Sequence, residues 1–136
     1  MYRIKFYRSR DGKKPVLEYL RGLTKKNDKD SRIKANKIRD YIKTLSHYGT
    51  AIGEPYIKKL DGDIWELRPL QDRILFAAWV GKSFLLISHF VKKTQKTPRG
   101  EIEKAKRLLD EYMPVFQGFI LETRLDRLIP LINKDF

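Results

Sequence analysis

The sequence predicts an α+β fold: a small, antiparallel-rich β-sheet covered by an N-terminal helical hairpin and a C-terminal helix, in the order β-α-α-β-β-β-α, with an extra apolar C-terminal tail. Three observations carry this. Tyr2, Ile4 and Phe6 alternate with Arg3, Lys5 and Tyr7, the two-residue period of a half-buried strand. Ile38, Tyr41, Ile42, Leu45 and Tyr48 recur at the spacing of one helix face. Two apolar runs, Ile74 to Val80 and Phe84 to Val91, flank Gly81-Lys82 and read as a β-hairpin. A chain of 136 residues suffices for one domain with a sizeable core. We expect that domain over residues 1–113 and a C-terminal extension over 114–136.

After the first strand, Ser9 to Lys14 is a polar turn around Asp11-Gly12. Pro15 opens a short helix, where its missing N–H costs little, and Val16, Leu17, Leu20 and Leu23 give that helix an apolar side. Thr24 to Lys29 is a charged break. Asp30 or Ser31 caps the second helix, which ends at Gly49. The two helices form a hairpin over the sheet. The outer face of the second carries Arg32, Lys34, Lys37, Arg39 and Lys43, read here as a solvated face rather than a phosphate-binding stripe.

Gly49 to Gly62 is a loop rich in turn residues, and three strands follow it. Thr97 caps a last helix with Pro98 at its first position and an apolar stripe of Ile102, Ala105, Leu109 and Tyr112. Pro114 ends that helix. Phe116 to Phe136 is too apolar for a disordered arm. It reads as a packed helix or as a docking segment for a partner, and both readings stand.

Lys and Arg number 30 against 17 Asp and Glu, a net charge of +13, so a polyanion is the expected partner. Nucleic acid ranks first. An anionic membrane ranks second, because no segment reads as a basic amphipathic anchor. Cysteine is absent, which excludes a disulfide framework and thiolate chemistry. Neither histidine has a partner at ligand spacing, so no metal and no cofactor are expected. The opening Met1-Tyr2-Arg3-Ile4-Lys5 shows no secretory signal, and no apolar run is long enough for a membrane span. A cytoplasmic protein is the expectation.

Strand alternation gathers charge at one edge of this sheet. With Gly81-Lys82 as a two-residue turn, Val80 faces Ser83, Arg73 lies opposite Phe90, and Leu75 lies opposite Ser88. With Pro69 to Asp72 as a four-residue loop, Arg68 faces Arg73. Ile64, Glu66, Arg68, Arg73, Leu75, Ala77, Trp79, Leu86, Ser88, Phe90 and Lys92 then share one face. Trp65, Leu67, Ile74, Phe76, Ala78, Val80, Leu85, Ile87 and His89 share the other, which reads as the core. RNA cleavage without a metal needs a base for the ribose 2′-OH, cations for the pentavalent phosphorane, and a proton donor. Glu66 fits the base, and Arg68, Arg73 and Lys92 fit the cations. The same groups also fit a structural ion pair and edge charges that deter strand pairing. Lys58, Lys59, Lys93 and Lys96 flank the site as phosphate contacts, with Trp79 and Phe90 as surfaces for base stacking. His89 reads as a satisfied core histidine and Trp65 as core.

The run Leu60-Asp61-Gly62-Asp63-Ile64-Trp65-Glu66-Leu67-Arg68, the later Arg73-Ile74-Leu75-Phe76, and His89-Phe90-Val91-Lys92-Lys93-Thr94-Gln95-Lys96-Thr97-Pro98 with Glu101-Ile102 resemble the phage-derived HigB-like branch of the RelE/ParE toxin superfamily. The resemblance covers residues 2–112, and the Lys-Lys-Thr-Gln-Lys-Thr-Pro string is its most specific part. It implies a RelE-like sheet with a helical hairpin. It also implies the toxin of a toxin–antitoxin pair, a ribosome-dependent endoribonuclease that cuts mRNA and is neutralised by a HigA-like helix-turn-helix antitoxin. Arg73 matches the strand-start arginine of such toxins, Lys92 a basic position ending the last strand, and Arg68 a further basic position. The base role of Glu66 is inferred from chemistry alone. A glycine commonly precedes the strand arginine, where this chain has Asp72. ParE-like members instead inhibit DNA gyrase, so a non-catalytic inhibitor of a protein target is the alternative.

Overall fold

The computed structural model describes the backbone of residues 1–122 and the side chains of residues 1–112. Strand β1 (Arg3–Phe6) leads into α1 (Pro15–Lys25) and α2 (Lys29–Tyr48). Four strands follow: β2 (Ile57–Asp61), β3 (Ile64–Leu67), β4 (Asp72–Trp79) and β5 (Ser83–Val91). Helix α3 (Arg99–Glu122) closes the described chain. The strands form one mixed sheet in the order β1-β5-β4-β3-β2, with β1 parallel to β5 and the other pairs antiparallel. This is the expected α+β architecture with one strand more than the sequence suggested.

The extra strand is β2, inside the stretch read as a loop. Ile57-Lys58-Lys59-Leu60-Asp61 lacks a clean alternation because β2 is an edge strand. Lys58 and Lys59 are exposed on it, as suits an edge that must not recruit another strand. The same stretch also holds a 3-10 turn, Gly49–Ile52.

Helix α2 starts earlier than expected, with its cap two or three residues before the expected one. Asp28, not Asp30 or Ser31, is its cap: the Ser31 amide and hydroxyl both donate to the Asp28 carboxylate, at 2.8 and 2.9 Å. The helix stops at Gly49, which has φ 64° and lies so close to β1 that a Cβ there would stand 2.7 Å from the Tyr2 ring. Helix α3 begins at Arg99 and continues through Pro114, past its expected end there. A proline removes one backbone donor and bends a helix, but the chain on either side keeps its helical path here. The expected packing of the 114–136 side chains lies outside the described residues.

Two cores sandwich the sheet, not one. Val16, Leu23, Ala35, Ile38 and Leu45 of the helical hairpin pack on Ile57, Leu67, Ile74, Phe76, Phe84 and Leu86. Ala105 and Leu109 of α3 pack on Tyr7, Ile64, Leu75, Ala77, Leu85 and Ile87. Both faces are therefore apolar along most of their length, which is why β4 and β5 read as near-continuous apolar runs.

The β4–β5 register corrects the two-residue turn and keeps its consequence. Trp79, not Val80, faces Ser83, so Val80-Gly81-Lys82 make the turn, with Gly81 and Lys82 both at positive φ. Ile87 then forms a β-bulge opposite the step from Leu75 to Phe76. The extra turn residue and the bulge cancel, so Arg73 still faces Phe90 and Leu75 still faces Ser88. Between turn and bulge the faces exchange: Leu86 joins Phe76 under the hairpin, while Leu85 and Ile87 pack under α3. On the other side of β4, Leu67 pairs with Ile74 and Glu66 with Leu75, as the four-residue loop requires.

Candidate functional site

Charge collects at the end of the sheet where β3 finishes, β4 begins and β5 finishes. The Pro69–Asp72 loop fixes that end. The Asp72 amide donates to the Pro69 carbonyl at 3.0 Å, and the Lys92 amide donates to the Gln71 carbonyl at 2.7 Å. Alternation then sends Glu66, Arg68 and Arg73 to the α3 side and Asp72 and His89 to the hairpin side.

On the α3 side, Glu66 is fully buried. Its Oε2 accepts a hydrogen bond from the Thr97 hydroxyl at 2.6 Å. Its Oε1 faces Arg68 Nε at 3.3 Å and Arg73 Nε at 3.9 Å and takes no hydrogen bond among the described residues. Arg73 is almost as buried; its Nη1 donates to the Leu70 and Asp72 carbonyls at 2.9 and 2.8 Å. Burial lowers the pKa of this guanidinium, and the Glu66 carboxylate pulls it the other way. The Arg68 side chain is 22 % exposed and also reaches Glu54 at 3.7 Å, so it is the more accessible guanidinium.

Two expectations change with this geometry. Thr97 does not cap α3; its hydroxyl covers Glu66 instead. Glu66 offers no exposed oxygen, so it holds two arginines together rather than standing open as a base. Of the expected cluster of Glu66, Arg68, Arg73 and Lys92, the first three are together, while among the described residues no contact joins the Lys92 ammonium to them.

The flanking residues divide. Lys58 pairs with Glu66 across β2–β3 and is exposed on the same face. Lys92 is half-buried, while Lys93 and Lys96 are exposed in the segment that brings Thr97 onto Glu66. Phe90, opposite Arg73, is half-buried against the core under α3. Lys59 lies on the opposite face, its Nζ 5.9 Å from the centre of the Trp65 ring. Trp79 is at the far end of β4, about 20 Å along the strand from Arg73, and packs edge-on against Tyr112. It belongs to the α3 core, not to a base-stacking surface: the alternation that groups it with Arg73 carries no information about distance along the strand.

On the hairpin side is a group the sequence reading missed. Asp72 Oδ1 accepts the Tyr19 hydroxyl at 2.7 Å, receives His89 Nε2 at 3.0 Å, and lies 3.7 Å from Lys34 Nζ. His89 stacks on Tyr19 with ring centres 3.6 Å apart. Burial pushes the Asp72 carboxyl up, but the bonds from His89 and Tyr19 and the charge of Lys34 outweigh it and hold the group below the usual carboxylate range. Burial and the bond to Asp72 push the Tyr19 phenol up. His89 is thus the satisfied histidine its core-face position suggested. The one sequence signal for this group was an acidic residue immediately before Arg73; nothing local marks Tyr19 or Lys34.

No helix among the described residues is long and apolar enough to cross a membrane. No curated protein matches the chain. A family model described as phage-derived protein Gp49-like (DUF891) matches residues 18–110, from α1 into α3 and across both charged groups. That match covers more than half of the sequence, and the chain belongs to the phage-derived Gp49-like protein family.

Proposed function

We propose that this protein is the toxin of a toxin–antitoxin pair and cuts mRNA on the ribosome without a metal, held inactive by a helix-turn-helix antitoxin. The observation that carries this reading is the pair of guanidinium groups, Arg68 and Arg73, gathered on one buried carboxylate at an edge bordered by Lys58, Lys92, Lys93 and Lys96. In such a cleavage the ribose 2′-oxygen attacks the adjacent phosphorus and loses its proton. The bond to the 5′-oxygen breaks, and that oxygen gains a proton. Charge grows on the non-bridging oxygens in between, and Arg68 and Arg73 suit its stabilisation. The net charge of +13 supports an RNA-rich target. Glu66 serves as the anchor of the two cations. Ribosome dependence, and with it a cytoplasmic location, rests on the resemblance to HigB-like toxins.

Mapping mRNA 5′ ends after brief induction tests this reading. New ends inside translated reading frames are expected; growth arrest with intact messages would overturn it. The alternative, a non-catalytic inhibitor of a protein target such as DNA gyrase, draws on one observation: the near-complete burial of Glu66 and Arg73 suits a structural ion cluster as well. Arrest with intact messages and altered DNA supercoiling would support it.

A further inference from the structure

We propose that Asp72 is a positioning residue for Arg73: its carboxylate draws α1, α2 and β5 onto the start of β4 and so fixes the carbonyls that aim the Arg73 guanidinium. Four elements meet at one oxygen. Tyr19 comes from α1, Lys34 from α2, His89 from β5, and Asp72 itself opens β4. Asp72 is fully buried, and its other oxygen, Oδ2, has no partner among the described residues, so the whole anchoring load falls on Oδ1.

The backbone of the same residue faces the other group. Arg73 Nη1 donates to the Asp72 carbonyl at 2.8 Å and to the Leu70 carbonyl at 2.9 Å. Leu70 has φ 54°, in the left-handed region, and its loop is closed by the Asp72 amide on the Pro69 carbonyl. A turn with a residue in that region is held by its surroundings. The Asp72 side chain is the anchor that immobilises this loop from the hairpin side, while its carbonyl sets the guanidinium on the α3 side. Arg73 has little freedom of its own, being almost wholly buried, so its aim follows the loop.

The proposal rests on the cleavage reading above, and its test separates the two. Asp72→Asn keeps the volume and one acceptor oxygen but removes the charge. Tyr19→Phe keeps the ring stacked on His89 and removes one donor, and serves if Asp72→Asn does not fold. Two readouts are taken on folded protein: the single-turnover cleavage rate and apparent affinity on programmed ribosomes, and the NMR shift of the Arg73 Nε–H. The expected result is a rate reduced about tenfold or more in Asp72→Asn, because small misplacements of a charge-stabilising group cost rate steeply, with affinity within about twofold of wild type. Tyr19→Phe shifts the rate the same way and by less. The Arg73 resonance moves in both. A folded Asp72→Asn or Tyr19→Phe protein with an unmoved Arg73 resonance overturns the proposal, as does an unmoved rate beside an active wild type. If wild-type protein cleaves nothing, the cleavage reading fails, and the Arg73 resonance alone decides whether Asp72 positions that side chain.

Discussion

Two buried carboxylates stand back to back at the end of one sheet, and they are bonded in opposite ways. Asp72, on the hairpin side, gathers short contacts from Tyr19 and His89 on one oxygen, with ring stacking locking the donors in place. Glu66, on the α3 side, has one short bond from Thr97 and two guanidinium groups at 3.3 and 3.9 Å, beyond good hydrogen-bond distance for at least one of them. The first arrangement is saturated on the oxygen it uses and ties four elements together. The second is loose, and its cations have donor capacity left for a phosphate. A tight node behind a loose one is what a charge-stabilising site needs: rigid support, with the working groups not consumed by one another.

The comparison breaks most severely at Glu66. Glu66→Ala leaves Arg73 buried without its carboxylate, and removing one partner of a buried pair costs about 3–5 kcal/mol. Urea denaturation should show this loss, and a loss below about 1 kcal/mol would mean the two arginines are held by the loop carbonyls alone.

Next come the cations. Arg73→Ala should lower the single-turnover cleavage rate about a hundredfold, on the order of 3 kcal/mol, while ribosome affinity changes little. Lys92→Ala should follow with a smaller effect, since Lys93 adjoins it, and Lys26→Ala, in the exposed break between α1 and α2, should do nothing measurable. A thermal melt of each variant separates loss of fold from loss of rate.

Acid tests the Asp72 group alone. The folded-state pKa of Asp72 is held below its unfolded value, so its contribution to stability is complete above about pH 4 and is lost as pH falls through the lower folded value. Asp72→Asn should therefore flatten the decline of stability below about pH 4, read from melting temperatures across the acid range; an unchanged slope would deny Asp72 that role. The smallest effect belongs to Lys59, whose ammonium lies 5.9 Å from the centre of the Trp65 ring on the far face. Lys59→Ala should cost about 0.5 kcal/mol and leave cleavage intact, and a strong loss of activity would place RNA on that face as well.

Which of these features the sequence disclosed follows from what each depends on. The helices were legible because Ile38, Leu45, Ile102, Ala105 and Leu109 repeat at helical spacing, and that period does not depend on distant partners. The pairing of Arg73 with Phe90 was legible for a weaker reason, since the turn was one residue longer than expected and the Ile87 bulge compensated. Strand β2 was hidden because an edge strand with exposed lysines has no apolar alternation to show. Glu66, Arg68 and Arg73 were predictable as a group from the four-residue Pro69–Asp72 loop and the alternation of side chains. Thr97 on Glu66, and Tyr19 and Lys34 on Asp72, join residues 31, 53 and 38 positions apart, and such contacts exist only once the layers have packed.

The central claim is that the loose group around Glu66 stabilises charge in a cleavage reaction. The direct measurement is single-turnover cleavage on ribosomes programmed with a defined mRNA, comparing wild type with Arg68→Ala, the more accessible of the two guanidinium groups. The account predicts cleavage by wild type and a rate about a hundredfold lower for the folded variant, with ribosome binding retained. Equal rates for the two proteins, or a folded wild-type protein that binds ribosomes and cuts nothing, would contradict it.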